Sequence, residues 1–548
     1  ELNVSLAVAS LLVSRGYPDA ESAYKFLNPS LSDLSDFRLL PDLEPAVRRL
    51  ACAVERKEPV LVYGDYDVDG VSSTALWITT LRRLGVPAEP FVPHREREGY
   101  DLNAESALRE ARQIGAKLVL TCDCGIRAHQ AVEAIQSEGI EVLVTDHHEP
   151  GDTLPPASAV VNPKRSDSDY PFRELCGAGV AYRVAEALLN ELRVPRNGFQ
   201  RRMLELVALG TVADVAPLVG ENRVLVKYGL EYLQQTKWLG INALKTVSGI
   251  GKRVLNTRDI GFGLAPRLNA VGRLEDAVLA LQLLLSECKN HAAEIAQQLD
   301  LHNRTRRDIQ EEAVQEAIAQ VEAEELTRHR ALVVRSEGWH HGIVGLVASK
   351  LVNHYHRPAF VATLNHQEGV ARGSIRSIPA YDLKPVLALM KPLCIKCGGH
   401  ALAGGFAVAL ERFEELRQVI LNHADQTLTD EDLIPALEVD LEVEGSEVNA
   451  RLLSELQMLE PFGVGNEKPL MLCREVEVLG SRTSRDGKHL FLRLRPDGSP
   501  VIDGVLWNGG DRPAESASRL NLLFRPEYDT YKGYNGIRWV IEDFEACE

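Results

Sequence analysis

The sequence predicts an α/β protein that is built from several units and ends in a small all-β domain. From residue 59 to about 161, short apolar segments alternate with helical segments, which is typical of a parallel sheet covered by helices on both faces. Residues 280–328 are rich in Ala, Glu, Gln and Leu and contain no Gly or Pro, which favours a long helix that connects two units. Residues 471–540 alternate apolar and polar side chains between turns, as the strands of a small β-domain do.

The composition is that of an ordinary globular protein. The chain has 548 residues, of which 45% are hydrophobic and 25% charged, and this excludes collagen-like and largely disordered classes. The net charge of −17 argues against binding of nucleic acid or anionic membranes through overall basicity. No segment is apolar enough for a membrane span, and nine unpatterned cysteines favour a reducing compartment over a disulfide scaffold. We therefore expect a cytoplasmic protein with no membrane partner.

Three apolar segments are predicted to be the first strands of the parallel sheet. They are Pro59–Tyr63, Lys117–Thr121 and Glu141–Thr145, and helices are predicted between them at Ser72–Leu84 and Arg127–Ser137. The carboxyl ends of neighbouring parallel strands lie side by side and form the usual ligand crevice of an open α/β sheet. Residues that follow these strands are therefore the first place to look for a site.

Acidic and imidazole side chains follow all three strands. They are Asp65, Asp67 and Asp69 after the first strand, Asp123 after the second, and His147 and His148 after the third. Three carboxylates within five residues repel one another, and a divalent cation would relieve the repulsion. Oxygen ligands suit Mg²⁺ or Mn²⁺, and imidazole shifts the preference toward Mn²⁺. At least five ligands in one crevice exceed what one ion with open positions needs, so two ions are expected.

Other interpretations of these residues were weighed. The first acidic motif alone is also compatible with a solvated turn, and an EF-hand loop is disfavoured because Leu76 stands where its bidentate Glu belongs. Zinc is disfavoured because Cys394-x-x-Cys397 is a pair without a second pair nearby. Asp214 ends an apolar helical segment, where a capping residue is the default interpretation.

Two segments with glycine and arginine indicate a phosphate-binding surface. A second α/β unit, from about residue 331 to 422, contains the runs 371–377 and 398–405. Glycines let backbone N–H groups approach a phosphate, and Arg372 and Arg376 on either side of Ser374 suit a phosphodiester. Tight packing explains such glycines equally well. Residues 265–273 form another irregular segment with arginines, for which a linker is an equal alternative.

The C-terminal β-rich region holds aromatic side chains among cations. Seven of the 32 aromatic residues lie there: Phe491, Trp507, Phe524, Tyr528, Tyr531, Tyr534 and Trp539. Base stacking on aromatic rings beside cations is how small β-barrels hold single strands. The alternative is an aromatic core, which must use several of these residues.

Taken together, these motifs resemble those of one protein family. The runs DYDVDG (65–70), TDHHEP (145–150), GTVADVAPL (210–218), PRLNAVGR (266–273) and GGHALAGGF (398–406) resemble the DHH phosphoesterase superfamily, and within it the single-stranded-DNA-specific exonucleases. The resemblance extends from the N-terminus to about residue 545. It implies an enzyme of DNA repair and recombination that removes 5′-mononucleotides from the 5′ end of single-stranded DNA with two Mn²⁺ or Mg²⁺ ions.

The resemblance also implies a division into domains. A DHH catalytic domain with an N-terminal helical segment is expected at 1–278 and a connecting helix at 279–329. A DHH-associated substrate-binding domain is expected at 330–430, and an oligonucleotide-binding (OB) barrel at 431–548. Single-strand-binding protein and a recombination helicase are the implied partners, and we expect a monomer.

Functional residues are carried over by motif. The implied catalytic residues are Asp65, Asp67, Asp69, Asp123, His147, His148 and Asp214, of which all except His148 are implied metal ligands. Asp65 stands where many members of the superfamily have a His ligand. The residues implied to bind DNA or phosphate are Arg267, Asn269, Arg372, Ser374, Arg376, Gly399, His400, Tyr528 and Trp539.

Two other functions remain open on the sequence. The first is a DHH phosphatase or phosphodiesterase for pyrophosphate, cyclic dinucleotides or short oligonucleotides, which would have no need of a C-terminal barrel. The second is a non-catalytic replication scaffold, although relatives of that kind lose metal ligands that are present here.

Overall fold

A computed structural model shows three sheet-containing units and one long helix between the first two. The structure describes residues 2–95, 97–195, 198–251, 253–274, 276–497, 499–512, 518–529 and 536–547. Within these ranges, none of the helices combines the length and apolar character that a membrane crossing requires.

Two N-terminal helices precede the first sheet, α1 (Leu6–Ser14) and α2 (Ala20–Leu27). The sequence division assigns them to the first unit. In the structure, however, their apolar side chains, such as Leu11 and Phe26, join the hydrophobic core of the C-terminal barrel. Hydrophobic periodicity shows that a helix has an apolar face but not which partner covers that face.

The first unit contains a five-stranded parallel sheet with the strand order β2-β1-β3-β4-β5. The strands are β1 (Val60–Gly64), β2 (Ala88–Phe91), β3 (Leu118–Cys122), β4 (Glu141–Thr145) and β5 (Ala159–Val161). The last residues of three strands are aligned, since Gly64 lies beside Cys122 and Cys122 beside Thr145. The predicted parallel sheet is confirmed, and the loops after β1, β3 and β4 start at one edge of it.

Helices cover both faces of this sheet. They are α3 (Leu43–Arg56), α4 (Val68–Arg83), α5 (Ala104–Ile114), α6 (His129–Ser137), α7 (Gly177–Glu191), α8 (Phe199–Ala213), α9 (Gly220–Gln234), α10 (Leu239–Val247), α11 (Ala265–Leu274) and α12 (Val278–Leu284). Successive side chains of β1 point to opposite faces of the sheet and so join two hydrophobic cores. Val60 and Val62 pack with α4 and α7, whereas Leu61 and Tyr63 pack with α5 and α6.

The long helix α13 (Lys289–Ala323) connects the first and second units, as predicted. Its 35 residues extend about 52 Å at ~1.5 Å per residue. Near its start, Ile295 and Leu299 join the core of the first unit, and near its end Val314 and Val321 join a core of the second unit. The helix therefore fixes the spacing between two hydrophobic cores.

The second unit has a mixed sheet with the order β6-β7-β8-β10-β9. Its elements are β6 (Leu332–Ser336), α14 (Val344–Tyr355), β7 (Ala359–Asn365), β8 (Val370–Arg376), α15 (Leu383–Met390), β9 (Lys396–Gly399), β10 (Ala403–Ala409) and α16 (Phe413–Thr427). Among the described strands of this second sheet, β6 and β7 pair in parallel, and all other neighbours pair antiparallel.

The third unit is a closed five-stranded barrel with one short extra strand. Its elements are β11 (Leu441–Glu442), α17 (Ala450–Gln457), β12 (Met471–Thr483), β13 (Leu490–Arg495), β14 (Ile502–Leu506), β15 (Arg519–Asp529) and β16 (Gly536–Ala546). The strand order is β12-β13-β14-β16-β15, and pairing of β15 with β12 closes the barrel. This is the arrangement of an OB fold, so the predicted C-terminal β-domain is confirmed.

Candidate metal centre and strand-binding channel

The structure brings the predicted acidic and imidazole side chains together at the aligned strand ends. The Nε2 atom of His147 lies 2.9 Å from Oδ1 of Asp123, 3.8 Å from Oδ2 of Asp69 and 3.9 Å from Oδ2 of Asp214. Asp214, at the end of α8, thus reaches the loops that follow β1, β3 and β4.

Three overlapping groups of these side chains have the geometry of metal sites. In each group, one potential ligand atom per residue lies within 4.8 Å of those of the others. The groups are Asp65, Asp67 and Asp123; Asp69, His147 and Asp214; and Asp123, His147 and His148. Because Asp123 and His147 belong to two groups each, the arrangement suits two neighbouring ions with shared ligands.

Backbone N–H groups at two helix starts orient the first acidic motif. Oδ1 of Asp67 accepts hydrogen bonds from the N–H groups of Asp69 (2.9 Å) and Gly70 (3.1 Å) at the start of α4. The carboxylate of Asp69 accepts from the N–H groups of Gly177 (2.6 Å) and Ala178 (2.9 Å) at the start of α7. Both carboxylates are therefore fixed where positive helix ends favour negative charge.

Glycine is required at two positions around these carboxylates. A Cβ atom at Gly210 would lie 2.3 Å from Oδ1 of Asp69, and one at Gly177 would lie 2.7 Å from Cβ of Asp123. Asp123 itself has a φ angle of 64°, in the left-handed region that side chains other than Gly, Asn and Asp rarely adopt. Close packing and local strain thus hold Asp123 toward the other ligands.

Several buried polar atoms in this cluster have no hydrogen-bond partner among the described residues. They are Oδ1 of Asp65, Oδ1 of Asp123 and Nε2 of His147. Such atoms are rare in folded proteins because an unpaired buried polar group is costly. Coordination to a divalent cation would satisfy all three, and oxygen with one imidazole nitrogen is a donor set for Mn²⁺ or Mg²⁺. The residues present therefore fit the metal that the sequence predicts.

Electrostatic repulsion in the cluster perturbs its carboxyl groups. Burial and then the negative charge of Asp67 raise the pKa of Asp65 well above the ordinary value, and burial and then the charges of Asp69 and Asp67 do the same for Asp123. Burial followed by Asp67 raises the pKa of Asp69 to about 6, and burial followed by Asp69 raises that of Asp214 to about 8. Bound cations would stabilise the ionised forms and reverse this effect.

The two neighbouring histidines are in opposite charge states. Burial and the proximity of His148 lower the pKa of His147 to about 3, so its imidazole is neutral and has a lone pair for a metal. Burial opposes the charge on His148, but the hydrogen bond from Nδ1 to Oδ1 of Asp146 (2.8 Å) and the negative charges of Asp146, Asp214 and Asp65 together outweigh burial and raise the pKa to about 9. Its Nε2 lies 3.2 Å from the hydroxyl of Tyr100.

The second unit extends a predicted residue toward this centre. His400, in the turn between β9 and β10, lines a cavity of about 110 Å³ together with Tyr100, Asp146 and His148. Gly399 precedes it as the last residue of β9. On β8, Nη1 of Arg376 lies 3.2 Å from Oγ of Ser374. His400 is therefore a predicted residue of the second unit that shares a cavity with His148.

The predicted residue Arg376 lies in a cluster of partly buried arginines between the two units, and sequence reasoning missed the other members. Burial, and then the charges of Arg95, Arg306 and Arg376, lower the pKa of Arg273 to about 10, while nearby Asp67 opposes the shift. Four guanidinium groups close enough to repel one another suit a phosphate. Arg273 ends the PRLNAVGR run, but Arg95 and Arg306 carry no recognisable signal, since one lies in a charged loop and the other on a long polar helix face.

Three predicted DNA-binding residues have partners within the protein, and their role in DNA binding stays a prediction. Arg267 is mostly buried and pairs with Asp300 through its Nε atom at 2.8 Å. The side chain of Asn269 accepts a hydrogen bond from the N–H of Val68 (3.1 Å) and so caps α4 beside the metal ligands. Arg372 is half exposed and pairs with Glu368 at 2.6 Å. Asn269 nevertheless lines the channel described below, whereas the guanidinium of Arg267 is held by Asp300.

Trp539 was predicted to bind nucleic acid, and the structure corrects this. Its side chain is fully buried and stacks on Phe524, with ring centres 3.7 Å apart. Tyr528 is half buried, and its hydroxyl donates to the carbonyl of Ala450 (3.1 Å). Tyr531 and Tyr534 lie outside the described residues. In an OB barrel, alternate residues of each strand must fill the core, and Trp539 is one of them.

A channel of about 1670 Å³ runs between the first unit, α13, α14 and the loop before β12. Its basic lining residues are Lys227, Arg258, Arg273, Arg306, Arg307, Lys350, Lys468 and Arg525. Exposed apolar side chains, among them Phe262 and Val215, lie in the same channel. Cations beside exposed apolar side chains suit a chain of phosphates with unpaired bases.

Comparison with known proteins assigns the three units to known domain families. Residues 59–211 match the model of the DHH family N-terminal domain, residues 329–425 that of the DHHA1 domain, and residues 439–543 that of the RecJ OB domain. The chain is 39% identical to the single-stranded-DNA-specific exonuclease RecJ of Bacillus subtilis, over all of this chain and 69% of the relative. It is 35% identical to that of Dickeya dadantii, over 94% of this chain and 92% of the relative.

The chain belongs to the RecJ family. The crystal structure of Thermus thermophilus RecJ in complex with Mn²⁺ is also similar, with a TM-score of 0.85 and 28% identity, over 100% of this chain and 77% of that one. The same RecJ in complex with Mg²⁺ gives a TM-score of 0.79 and 27% identity, over 100% and 76% of the two chains. The Thermus thermophilus RecJ thus binds the two metals that the donor set here favours, and the predicted superfamily is confirmed.

Proposed function

We propose that this chain is a metal-dependent exonuclease that hydrolyses single-stranded DNA from its 5′ end and releases 5′-mononucleotides, in DNA repair and recombination. One observation carries the proposal: carboxylates from β1, β3 and α8 converge with His147 within ligand distance of one another. Relatives at 39% and 35% identity bear the name single-stranded-DNA-specific exonuclease RecJ.

The metal ligands in this proposal are Asp67, Asp69, Asp123, His147 and Asp214, with Asp65 beside them. Two Mn²⁺ or Mg²⁺ ions bound there would activate a water molecule and stabilise the oxygens of the phosphate under attack. The protein's own part is to fix the donor atoms. It does so through the helix starts that hold Asp67 and Asp69 and through the strained backbone at Asp123.

His148 is proposed to stabilise the scissile phosphate. At neutral pH its imidazole is protonated because Asp146 holds Nδ1. The second ring nitrogen can therefore donate a hydrogen bond to a non-bridging oxygen, where negative charge develops during hydrolysis. His400, which shares the adjacent cavity, is proposed to contact the same phosphate from the second unit.

The buried arginine cluster is proposed to bind the terminal 5′ phosphate. A terminal phosphate carries more negative charge than an internal phosphodiester, and guanidinium groups bind it through charge-assisted hydrogen bonds. Arg273 and Arg376 contribute from the first and second units, so the phosphate would bridge the two. Ser374 beside Arg376 supplies a further donor. Binding of that end would give the enzyme its 5′ polarity.

The domain division stays part of the proposal, with boundaries at 1–278, 279–329, 330–430 and 431–548. The continuous helix α13 and the separate hydrophobic cores support the three inner boundaries. The DHHA1 and RecJ OB models begin and end near the last two of these boundaries, whereas the DHH model ends at residue 211, well before the first. Because α1 and α2 pack on the barrel, the part of residues 1–278 that packs as the first domain begins after α2. Single-strand-binding protein and a helicase as partners, and the monomeric state, stay predictions.

An end-labelled degradation assay tests the proposal. With Mn²⁺, a 5′-phosphorylated single strand labelled at its 3′ end should shorten from the 5′ end, while a blunt duplex should resist and EDTA should abolish hydrolysis. Asp67→Ala should be inactive yet folded, and Asp169→Ala, which removes an exposed carboxylate of the same unit, should be fully active. Cleavage by Asp67→Ala, degradation from the 3′ end, or activity restricted to dinucleotides would contradict the assignment.

A further inference from the structure

The second unit contains a pair of cysteines that the proposed function does not use. Cys394 and Cys397 form the C-x-x-C pair of the sequence, which supplies too few ligands for a zinc site. The N–H of Cys394, in the turn after α15, donates to the carbonyl of Met390 (3.2 Å), and Sγ of Cys397, in β9, lies 3.8 Å from the carbonyl oxygen of Leu387. Both cysteines thus lie against the last turn of α15. Both are only partly buried, so a small oxidant can reach them.

The two thiols differ in acidity. A hydrogen bond from the Cys394 thiol lowers the pKa of Cys397, and the charge of Lys391 adds to this effect although burial opposes it. The same hydrogen bond, and then burial, raise the pKa of Cys394. The thiolate is the nucleophilic form of cysteine. The pair therefore combines an attacking sulfur, Cys397, with a neighbouring thiol that can resolve an oxidised intermediate.

A second pair of cysteines lacks these properties. Cys122 and Cys124 lie close together, because both sulfurs approach the carbonyl oxygen of Tyr63, at 3.7 and 3.8 Å. Both side chains are buried, and burial raises the pKa of Cys122 to about 12 and that of Cys124 well above its usual range. Access to solvent and a lowered pKa coincide at Cys397 instead.

Strand β9 leads from the C-x-x-C pair to the catalytic cavity. Two glycines and then His400 follow Cys397, and His400 lines the cavity of about 110 Å³ together with His148. The turn is tightly packed. The N–H of His400 donates to the carbonyl of Ala403 (2.7 Å), and a Cβ atom at Gly399 would lie 2.4 Å from the same oxygen. A displacement of Cys397 should therefore displace His400 as well.

We propose that Cys394 and Cys397 form a disulfide in response to hydroperoxides, and that this disulfide lowers nuclease activity by moving His400. The effect on activity rests on the proposed function, whereas formation of the disulfide does not. A disulfide holds its sulfurs ~2.05 Å apart, closer than any hydrogen bond, so it draws β9 toward the turn after α15. In a reducing compartment, disulfides of this kind are transient and form in response to oxidants.

The oxidation consumes one hydrogen peroxide and has two steps. The Cys397 thiolate attacks a peroxide oxygen, so that an S–O bond forms, the O–O bond breaks and the leaving hydroxide takes up a proton to become water. The Cys394 thiol then loses its proton and attacks the sulfur of the sulfenic acid, and the sulfenic oxygen leaves as water. Both sulfurs are oxidised, and both peroxide oxygens are reduced. A dithiol reductant reverses the reaction by thiol–disulfide exchange.

Peptide mapping and kinetics on the same sample test the proposal. The protein is oxidised with hydrogen peroxide in EDTA, freed of peroxide by gel filtration and assayed with Mn²⁺ on a 5′-phosphorylated single strand. Trypsin cleaves after Lys396, between the two cysteines, so the disulfide should keep two peptides joined until reduction. The value of kcat should fall at least about tenfold, since a misplacement of ~1 Å can cost ~100-fold. Dithiothreitol should restore it.

Serine variants separate this pair from the other cysteines. Cys394→Ser and Cys397→Ser should match the parent before oxidation and keep most of their activity afterwards. Cys394→Ser should also accumulate a sulfenic acid at Cys397, which dimedone labels, because the resolving thiol is absent. Cys288→Ser is the matched control. It removes an exposed cysteine outside the pair and should lose activity on oxidation as the parent does.

A variant of His400 tests the connection to the catalytic cavity. Oxidation of His400→Ala should form the same disulfide but lower kcat little further, because the side chain that the disulfide moves is already absent. The parent, measured in parallel, should show the full loss. An equal factor of loss in both proteins would show that the disulfide does not act through His400.

Absence of the joined peptides at peroxide concentrations that oxidise Cys288 would overturn the proposal. So would a complete disulfide with unchanged kcat, or an equal loss of activity in the parent and both serine variants of the pair. Failure of the proposed function looks different, because the reduced parent would then hydrolyse no strand with Mn²⁺. In that case peptide mapping alone decides: joined peptides would support the disulfide site, and their absence would reject it.

Discussion

The metal centre and the aromatic cluster of His489, Phe491 and Trp507 on the barrel surface are built in opposite ways. The centre is buried, and its carboxylates repel one another around backbone that is strained at Asp123. The cluster on the barrel lies at the surface, where Arg482 and Trp507 each contact Phe491 and no charge is buried. The comparison indicates that crowded buried carboxylates lower the stability of the metal-free protein, whereas exposed ring contacts do not.

The largest effect should follow from Asp123→Asn, which breaks the centre. We expect nuclease activity to fall by about three orders of magnitude or more, equivalent to ~4 kcal/mol, because a shared ligand charge is lost. The metal-free protein should become more stable by a few degrees in Tm, since one repelling charge is gone and Asn tolerates the left-handed backbone. Activity assays with Mn²⁺ and thermal melts in EDTA measure both quantities.

Asp169→Asn is the control for that experiment, because it removes an exposed carboxylate outside the cluster. It should change neither activity nor Tm. If Asp123→Asn were inactive but no more stable than the parent in EDTA, the picture of a self-repelling centre would be wrong.

The next largest effect should be a difference in the free energy of unfolding between substitutions at the two tryptophans of the barrel, Trp539 and Trp507. Trp539→Ala should lower the free energy of unfolding by about 3–5 kcal/mol, because it empties a space in the core beside Phe524. Trp507→Ala should change it by less than ~0.5 kcal/mol, since the ring lies on the surface. Urea unfolding followed by near-ultraviolet circular dichroism gives both values. Equal destabilisation by the two substitutions would contradict the placement of Trp539 in the barrel core and of Trp507 on the barrel surface.

A smaller effect should distinguish phosphate binding from chemistry. Arg376→Ala should raise KM about tenfold for a strand with a 5′ phosphate, because one charge-assisted contact of ~1.5 kcal/mol is lost. For a 5′-hydroxyl strand KM should change little. Arg372→Ala, which removes a half-exposed arginine of the same strand β8, is the control. An equal rise in KM for both substrates would show that Arg376 does not bind the terminal phosphate.

The smallest effect is a pH dependence of the metal-free protein. Asp69 and Asp214 have a folded-state pKa of about 6 and about 8, raised above that of the unfolded chain. A raised pKa means that the folded state binds more protons, so its contribution to stability is present at low pH and is lost as pH rises through the folded value. In EDTA, Tm of the parent should therefore fall relative to Asp214→Asn between about pH 6 and 8. With saturating Mn²⁺ this trend should disappear, and its persistence would argue against cations at these carboxylates.

The sequence alone determined where the metal ligands would gather. In a parallel sheet, the loops after neighbouring strands share one edge, so Asp67, Asp123 and His147 could be placed together from their positions after three apolar segments. The long helix was equally predictable, because helix-forming composition without Gly or Pro is a local property. Asp214 needed the family motif, since a residue at the end of a helix has no fixed position relative to a sheet.

Only the tertiary structure decided which side chains meet across units. Arg95, Arg306 and Arg376 approach Arg273 because α13 holds two cores at a set distance, and no local pattern encodes that approach. The same holds for α1 and α2, whose apolar faces pack on the barrel rather than on the first sheet. In the barrel, closure and register determine that Trp539 points inward and Trp507 outward. Local patterns specify secondary structure, whereas contacts between distant segments depend on how whole elements pack.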